Sequence, residues 1–135
     1  EITESAIADA PESVASALTE LKMRGFQIAI DDFGSGYSNR SSVVSLPLQY
    51  VKVDRSLLEA ATNGGGGALL LRAVVETFRA MGRGILLEGV ETPEQYALAC
   101  TLRADRLQGY YLARPMPGEE LCALMRSGAR RTRRT

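Results

Sequence analysis

The chain has 135 residues, the length of one ordinary domain with a sizeable core, and its hydrophobic (45%) and charged (24%) fractions are those of a globular protein. Sixteen basic residues balance sixteen acidic ones, so net charge gives no reason to expect DNA or another polyanion as a partner. No apolar run approaches the roughly 20 residues of a membrane span, nothing resembles a signal peptide, and there is no histidine, the commonest general base and transition-metal ligand.

Helix and strand signals alternate along the chain. Pro11 opens an apolar-periodic segment through Val14, Leu18 and Leu21, a helix ended by Gly25. Residues 26–30 (Phe-Gln-Ile-Ala-Ile) read as a buried strand running into Asp31 and Asp32, and a short helix from Ser38 to Leu46 precedes Pro47. Tyr50 to Val53 is a second strand, ending at Asp54. The glycine run 64–67 lacks the Lys-Ser/Thr of a nucleotide-binding loop and reads as a flexible connection. Ala68 to Met81 has a strong helical pattern, and Gly84 to Leu87 is a third strand, ending at Glu88. Thr92, Pro93 and Gln95 form a capping box with proline in the first turn, starting a helix to about Arg103. A fourth strand covers Arg106 to Gly109, and Pro117 starts a last helix. Cys100 and Cys122, without metal-site spacing, read as buried free thiols of a cytoplasmic protein.

Strands separated by helical crossovers predict an α/β fold, a parallel sheet with outer helices. Asp31, Asp54, Glu88 and Gln108 fall at or beside the C-terminal ends of the strands, with Lys52 close by. Both a β/α barrel and an open doubly wound sheet collect ligands at that rim, so the pattern leaves strand order open. Taken singly, each residue has an ordinary reading. An Asp-Asp pair before glycine is usually a turn. Lys52 fits a salt bridge to Asp54, Glu88 and Glu91 suit a helix N-terminus, Gln108 suits a polar strand end, and Glu1 suits a frayed terminus.

The order of the motifs says more. Glu1-Ile-Thr-Glu4-Ser, Asp31-Asp32-Phe-Gly-Ser-Gly-Tyr, Val51-Lys52-Val-Asp54-Arg, Glu88-Gly-Val-Glu91-Thr and Gln108-Gly-Tyr110 follow one another, with intervals of 30, 21, 36 and 20 residues between Glu1, Asp31, Lys52, Glu88 and Gln108. Together they resemble the successive signature motifs of the EAL domain family, from Glu1 to about Pro117. The resemblance implies the C-terminal portion of a modified TIM (β/α)8 barrel, a partial EAL domain over residues 1–126, followed by a basic disordered tail over 127–135. It implies a phosphodiesterase that hydrolyses cyclic di-GMP to linear pGpG with two divalent cations, Mg²⁺ or Mn²⁺.

By the same resemblance Glu1, Asp31, Asp32 and Glu88 are metal ligands, Asp31 bridging the two ions. Lys52 would hold the nucleophilic water, and Glu88 would double as general base. Glu4 would brace the loop after Asp31-Asp32, while Glu91 and Gln108 would orient ligands or neighbouring side chains. Chemistry agrees with such a set. Hard oxygen donors suit Mg²⁺ or Mn²⁺, and two such ions can screen a phosphodiester and activate water without histidine.

The Glu-Ala-Leu motif and the family's upstream asparagine motif do not occur in the 135 residues, and the first residue is Glu1 rather than methionine. The sequence is therefore expected to begin inside a longer gene product, and a chain below the roughly 200 residues of a TIM barrel is expected to be inactive alone, with regulatory domains or the other barrel half upstream. Leu87 stands where the family often has a small residue, and Asn39-Arg40 replace the usual small and apolar pair in the loop after Asp32, through which the resemblance implies a homodimer. Two further expectations compete with the enzyme: an EAL-type receptor that holds cyclic di-GMP without cutting it, and a protein-interaction module. The location expected is the cytoplasm, with any membrane anchor lying outside these residues. Arg130, Arg131, Arg133 and Arg134 read as a solvated end rather than a DNA contact.

Overall fold

The computed structural model describes residues 1–9, 11–35, 43 and 45–127. The expected loop residues Tyr37, Asn39 and Arg40, most of the helix predicted from Ser38, and the arginines of the tail lie outside the described residues.

Five strands form one sheet: β1 (Ile2–Thr3), β2 (Ala29–Phe33), β3 (Tyr50–Val53), β4 (Gly84–Leu87) and β5 (Arg106–Leu107). Every neighbouring pair is parallel, and the spatial order β1-β2-β3-β4-β5 is the chain order. A doubly wound sheet reverses direction at a switch point, and this one does not. Parallel crossovers are nearly always right-handed, so an order without reversal keeps the connecting helices on one side, as in part of a barrel wall. The barrel reading, left open by periodicity, follows.

Burial along the strands agrees. Val51 and Val53 in β3, and Ile85 and Leu87 in β4, are almost fully buried, whereas Tyr50, Lys52, Gly84 and Leu86 between them are half-buried. The buried face packs under helices α1 (Glu4–Asp9), α2 (Pro11–Met23), α3 (Arg55–Thr62), α4 (Gly67–Ala80) and α5 (Pro93–Thr101). Phe33 of β2 meets Phe78 of α4 edge to face at 4.9 Å, and α4 also buries Leu71, Val74 and Val75. Each such side chain stabilises the fold by about 1.5–3 kcal/mol on burial. The last helix, α6 (Gly118–Arg126), buries none of its residues.

Several local expectations change. The first strand signal is displaced: Phe26 is 60% exposed, and β2 begins at Ala29. Gln49 explains the late start, because its side chain accepts the Ile28 amide at 2.7 Å and its own amide bonds the Ile28 carbonyl. The strand then continues through both aspartates instead of stopping before them. Ile30 pairs with Val51 and Phe33 with Val53, so Asp31 and Asp32 together oppose the single residue Lys52. This is a β-bulge, with Asp32 at φ 54°.

Strand β1 and helices α1 and α3 carry too short a period to read from sequence. Asp54, expected at a strand end, is the N-cap of α3, and its carboxylate accepts the Ser56 amide at 2.9 Å. The glycine run forms the turn between α3 and α4, with Gly64 and Gly65 at positive φ. Strand β5 stops at Leu107, although the Gln108 amide still bonds the Leu87 carbonyl at 2.9 Å. The cysteines need correction: Cys100 and Cys122 are both exposed. On α5 the inward positions are Gln95 and Ala99, which turns Cys100 away, and α6 has no buried face for Cys122. Among the described residues no helix is long and apolar enough to cross a membrane.

Candidate active site

The bulge in β2 sets the geometry. Alternation alone would send Asp31 and Asp32 to opposite faces of the sheet. The extra residue and the positive φ of Asp32 let both carboxylates gather near the strand's C-terminal end, and Phe33 returns to the buried face. One carboxylate oxygen from each of Asp31, Asp32 and Glu88 lies within 4.8 Å of the others. Glu88 reaches this point directly after β4, where its amide bonds the Val53 carbonyl at 3.1 Å.

Lys52 stands among these acids. Its Nζ lies 2.7 Å from Asp31 Oδ1, 3.0 Å from Glu88 Oε1 and 3.4 Å from Glu1 Oε1, and its side chain is only 12% exposed. The predicted partnership with Asp54 is not formed, because Asp54 caps α3. Glu94 is the acid in the first turn of α5, while Glu91 stands just before the N-cap Thr92. Glu1 is the outermost member, with its side chain 60% exposed.

The ionisation of the central pair follows from this arrangement. Burial works against the charge on Asp31, but the hydrogen bond and charge of Lys52 outweigh it and hold the carboxyl below its ordinary range. Burial likewise disfavours the Lys52 ammonium. Hydrogen bonds and charges from Asp31 and Glu88 outweigh that and hold its pKa above the ordinary lysine value. Lys52 is therefore a cation and donor at neutral pH.

The remaining predicted residues surround the cluster. Glu4, the first residue of α1, is buried, and its Oε2 accepts the Gly34 amide at 3.0 Å, tying α1 to the segment after the aspartates. Glu91 is exposed; its carboxylate lies 3.7 Å from Arg55 Nη1, and its amide is held at 2.7 Å by the buried Gln95 side chain. Gln108 lines a cavity of about 580 Å³ at the C-terminal mouth, together with Asp32, Glu88 and Glu91. A smaller cavity of about 380 Å³ lies at the other end of the strands, against Tyr50, Arg83 and Arg106.

Sequence reasoning quoted Arg55 and Tyr110 within motifs but gave them no role and missed Arg114; all three also line the mouth. It recorded Gln95 as half of a capping box, yet the same Oε1 accepts both the Glu91 and the Thr92 amides. That box was the available signal for a fixed Glu88–Glu91 loop.

The donor set can be tested against a metal. Three carboxylates converging within 4.8 Å, with no sulfur or imidazole, suit a hard divalent cation bound through oxygen. Like-charged groups this close need a cation between them, and Lys52 supplies one charge where three acids meet.

Comparison with known proteins points the same way. The family model described as EAL domain matches residues 1–115. The chain is 35% identical over 117 residues to the cyclic di-GMP phosphodiesterase RocR of Pseudomonas aeruginosa, covering 87% of this chain and 30% of that protein. Among solved structures it is similar to the EAL domain of Mycobacterium smegmatis DcpA, with TM-score 0.85 and 37% identity over 94% of this chain and 57% of that one. It is likewise similar to the PaMucR phosphodiesterase in complex with c-di-GMP, with TM-score 0.82 and 35% identity over 89% of this chain and 49% of that one. The chain spans between 15 and 30% of the length of the curated relatives it matches most strongly.

Proposed function

The chain belongs to the EAL domain family, and on that footing we propose that it supplies much of a site hydrolysing cyclic di-GMP to linear pGpG with two divalent cations, Mg²⁺ or Mn²⁺. The observation that carries this reading is Lys52 held between Asp31 and Glu88, beside Asp32, at the C-terminal mouth of the strands.

Asp31, Asp32, Glu88 and Glu1 are the residues that would hold the cations. When bound, the cations would screen the phosphodiester charge and acidify a water. Lys52, kept protonated by its two carboxylates, donates a hydrogen bond to the attacking water and favours its hydroxide form by charge. Glu88, 3.0 Å from Lys52, is placed to take up the proton that water releases. A bond forms from the water oxygen to phosphorus, the bond from phosphorus to one ribose 3′-oxygen breaks, and that oxygen takes a proton. Glu4 braces the turn after Asp32 through Gly34, Gln95 fixes the loop that carries Glu91, and Gln108 faces the cavity.

We assign residues 1–126 to the domain, because α6 continues past the matched segment to Arg126. The homodimer contact through the loop after Asp32 stays part of the same reading, as do regulatory domains elsewhere in the protein. The chain by itself is expected to hydrolyse little: the non-helical side of β3 and β4 leaves Tyr50, Lys52 and Leu86 half-buried, and the solved EAL chains it resembles are about twice its length.

The test is an intact EAL domain carrying this sequence, incubated with cyclic di-GMP and Mn²⁺ or Mg²⁺. We expect pGpG, and a fall of at least about 100-fold in kcat for D31N, K52M and E88Q. A folded domain that binds cyclic di-GMP without cutting it would make the protein a receptor. One that does neither would remove the nucleotide from its function.

A further inference from the structure

Two arginines line the mouth cavity, and they differ in what holds them. Arg55 is engaged by carboxylates, Glu59 at 3.2 Å and Glu91 at 3.7 Å. Among the described residues Arg114 has no carboxylate within 4.0 Å; its guanidinium carbon lies 4.6 Å from the centre of the Tyr110 ring instead. Tyr110 is 53% exposed, so core packing does not account for its position.

That position is nevertheless fixed. The Tyr111 amide bonds the Val90 carbonyl at 2.9 Å, and the Gly109 carbonyl accepts the amides of Leu112 and Ala113 at 3.0 and 3.2 Å. The turn thus presents Tyr110, and Arg114 four residues later, to the same cavity. A guanidinium stacked on a ring keeps its N–H donors in its own plane, where two of them match two oxygens of a phosphate.

We propose that Tyr110 and Arg114 form a platform for the substrate's second phosphate, the one that is not cut, with Arg114 pairing to it and Tyr110 fixing the plane of the guanidinium. This rests on the cyclic di-GMP reading above. A cyclic dinucleotide carries two phosphodiester anions. One faces the acid cluster and Lys52. The other lies in the part of the same cavity bordered by Asp54 and Glu91, away from the acids that would hold the cations, where an anion requires a positive group that is not already neutralised. Arg114 is that group. Because it touches neither the scissile bond nor the attacking water, it is a positioning residue: it sets affinity and leaves the chemical step alone.

The experiment uses an intact EAL domain carrying this sequence, with kcat, KM for cyclic di-GMP and melting temperature measured for five proteins. R114M should raise KM by about 10- to 100-fold, with kcat at saturation within about twofold of the parent and an unchanged melting temperature. R114K should recover part of the loss, since it restores the charge without the planar fork. Y110F should match the parent, because the ring face and not the hydroxyl does the holding, and Y110A should raise KM by about threefold. Unchanged KM in R114M, in a domain whose parent cuts cyclic di-GMP, would overturn the platform and leave the phosphodiesterase reading intact. A joint fall in kcat and melting temperature across R114M and R114K would overturn it too, reducing Arg114 to a prop for the Gln108 turn. A folded parent that neither binds nor cuts cyclic di-GMP overturns both readings.

Discussion

Glu4 and Gly34 meet across 30 residues of sequence: the buried Glu4 carboxylate accepts the Gly34 amide at 3.0 Å and so anchors the chain just after the paired aspartates. In E4A that amide loses a charged acceptor in a partly buried place, at a cost of about 1.5–3 kcal/mol. E4Q keeps an acceptor of the same length and should lose about half as much. Urea unfolding of an intact EAL domain carrying each substitution measures the difference, and equal stability of E4A and the parent would mean that the contact braces nothing.

Lys52 should matter most when no metal is added. In EDTA, K52M leaves Asp31, Glu88 and Glu1 without their shared cation and should destabilise the domain by about 1–3 kcal/mol. Mn²⁺ replaces that charge, so the gap between K52M and parent should narrow as the ion is titrated in. Thermal melting at several Mn²⁺ concentrations follows it. A gap that stays constant would place the metal away from these acids.

The pH dependence of the same gap has a definite sign. Asp31 is held below its ordinary value of 3.8, so its stabilising contribution is present above that value and is lost as pH falls through the depressed one. Lys52 is held above its ordinary 10.5, so its contribution is present below that value and is lost only as pH rises through the raised one. The metal-free difference between parent and K52M should therefore be flat from about pH 5 to 9 and shrink under strong acid. Denaturant midpoints at pH 7 and pH 3 suffice to check it.

A methyl group at Gly109 would stand 2.1 Å from the Val90 carbonyl oxygen and 2.3 Å from its nitrogen, backbone atoms that cannot swing aside. G109A should cost about 3 kcal/mol and displace Gln108 and Tyr110. Gly82 is the control. It has φ +71° but nothing within 4 Å of the added carbon, so G82A should show only backbone strain of about 1 kcal/mol. Calorimetric melting of the two variants separates steric crowding from conformational strain.

Both cysteines should react with a thiol reagent in the native protein without denaturant, because Cys100 and Cys122 are exposed. Two equivalents titrated at the rate of a free thiol would confirm the outward positions, and a need for urea would restore the buried assignment.

How far the sequence could be read depends on the range of the interactions involved. Local signals located β3, β4, α4 and α5 nearly to the residue: apolar runs marked the two strands, an amphipathic repeat marked α4, and the capping box marked the start of α5. Strand order was not legible from periodicity, because a parallel sheet is paired through partners far apart in the chain. The bulge at Asp31-Asp32 escaped for the same reason: two residues face one only once Val51 to Val53 is alongside. The local sequence suggested Asp54 as the salt-bridge partner of Lys52, but Asp54 caps the helix that begins there and Lys52 pairs with Asp31 and Glu88 from other strands. Tyr110 ended the Gln108-Gly-Tyr110 motif without a role of its own and Arg114 carried no local signal; their significance lies in the cavity they border.

The strand order has one more consequence. Each group of the charged cluster is delivered by a separate strand: Glu1 ahead of β1, the aspartate pair from β2, Lys52 from β3 and Glu88 from β4. Exchanging one leaves the buried side of its strand untouched, so the sheet that carries the others stays in place even where, as at Lys52, their ion pairs are lost. On the phosphodiesterase reading, a single substitution among these four groups therefore separates cutting the ligand from merely holding it, with the scaffold left whole.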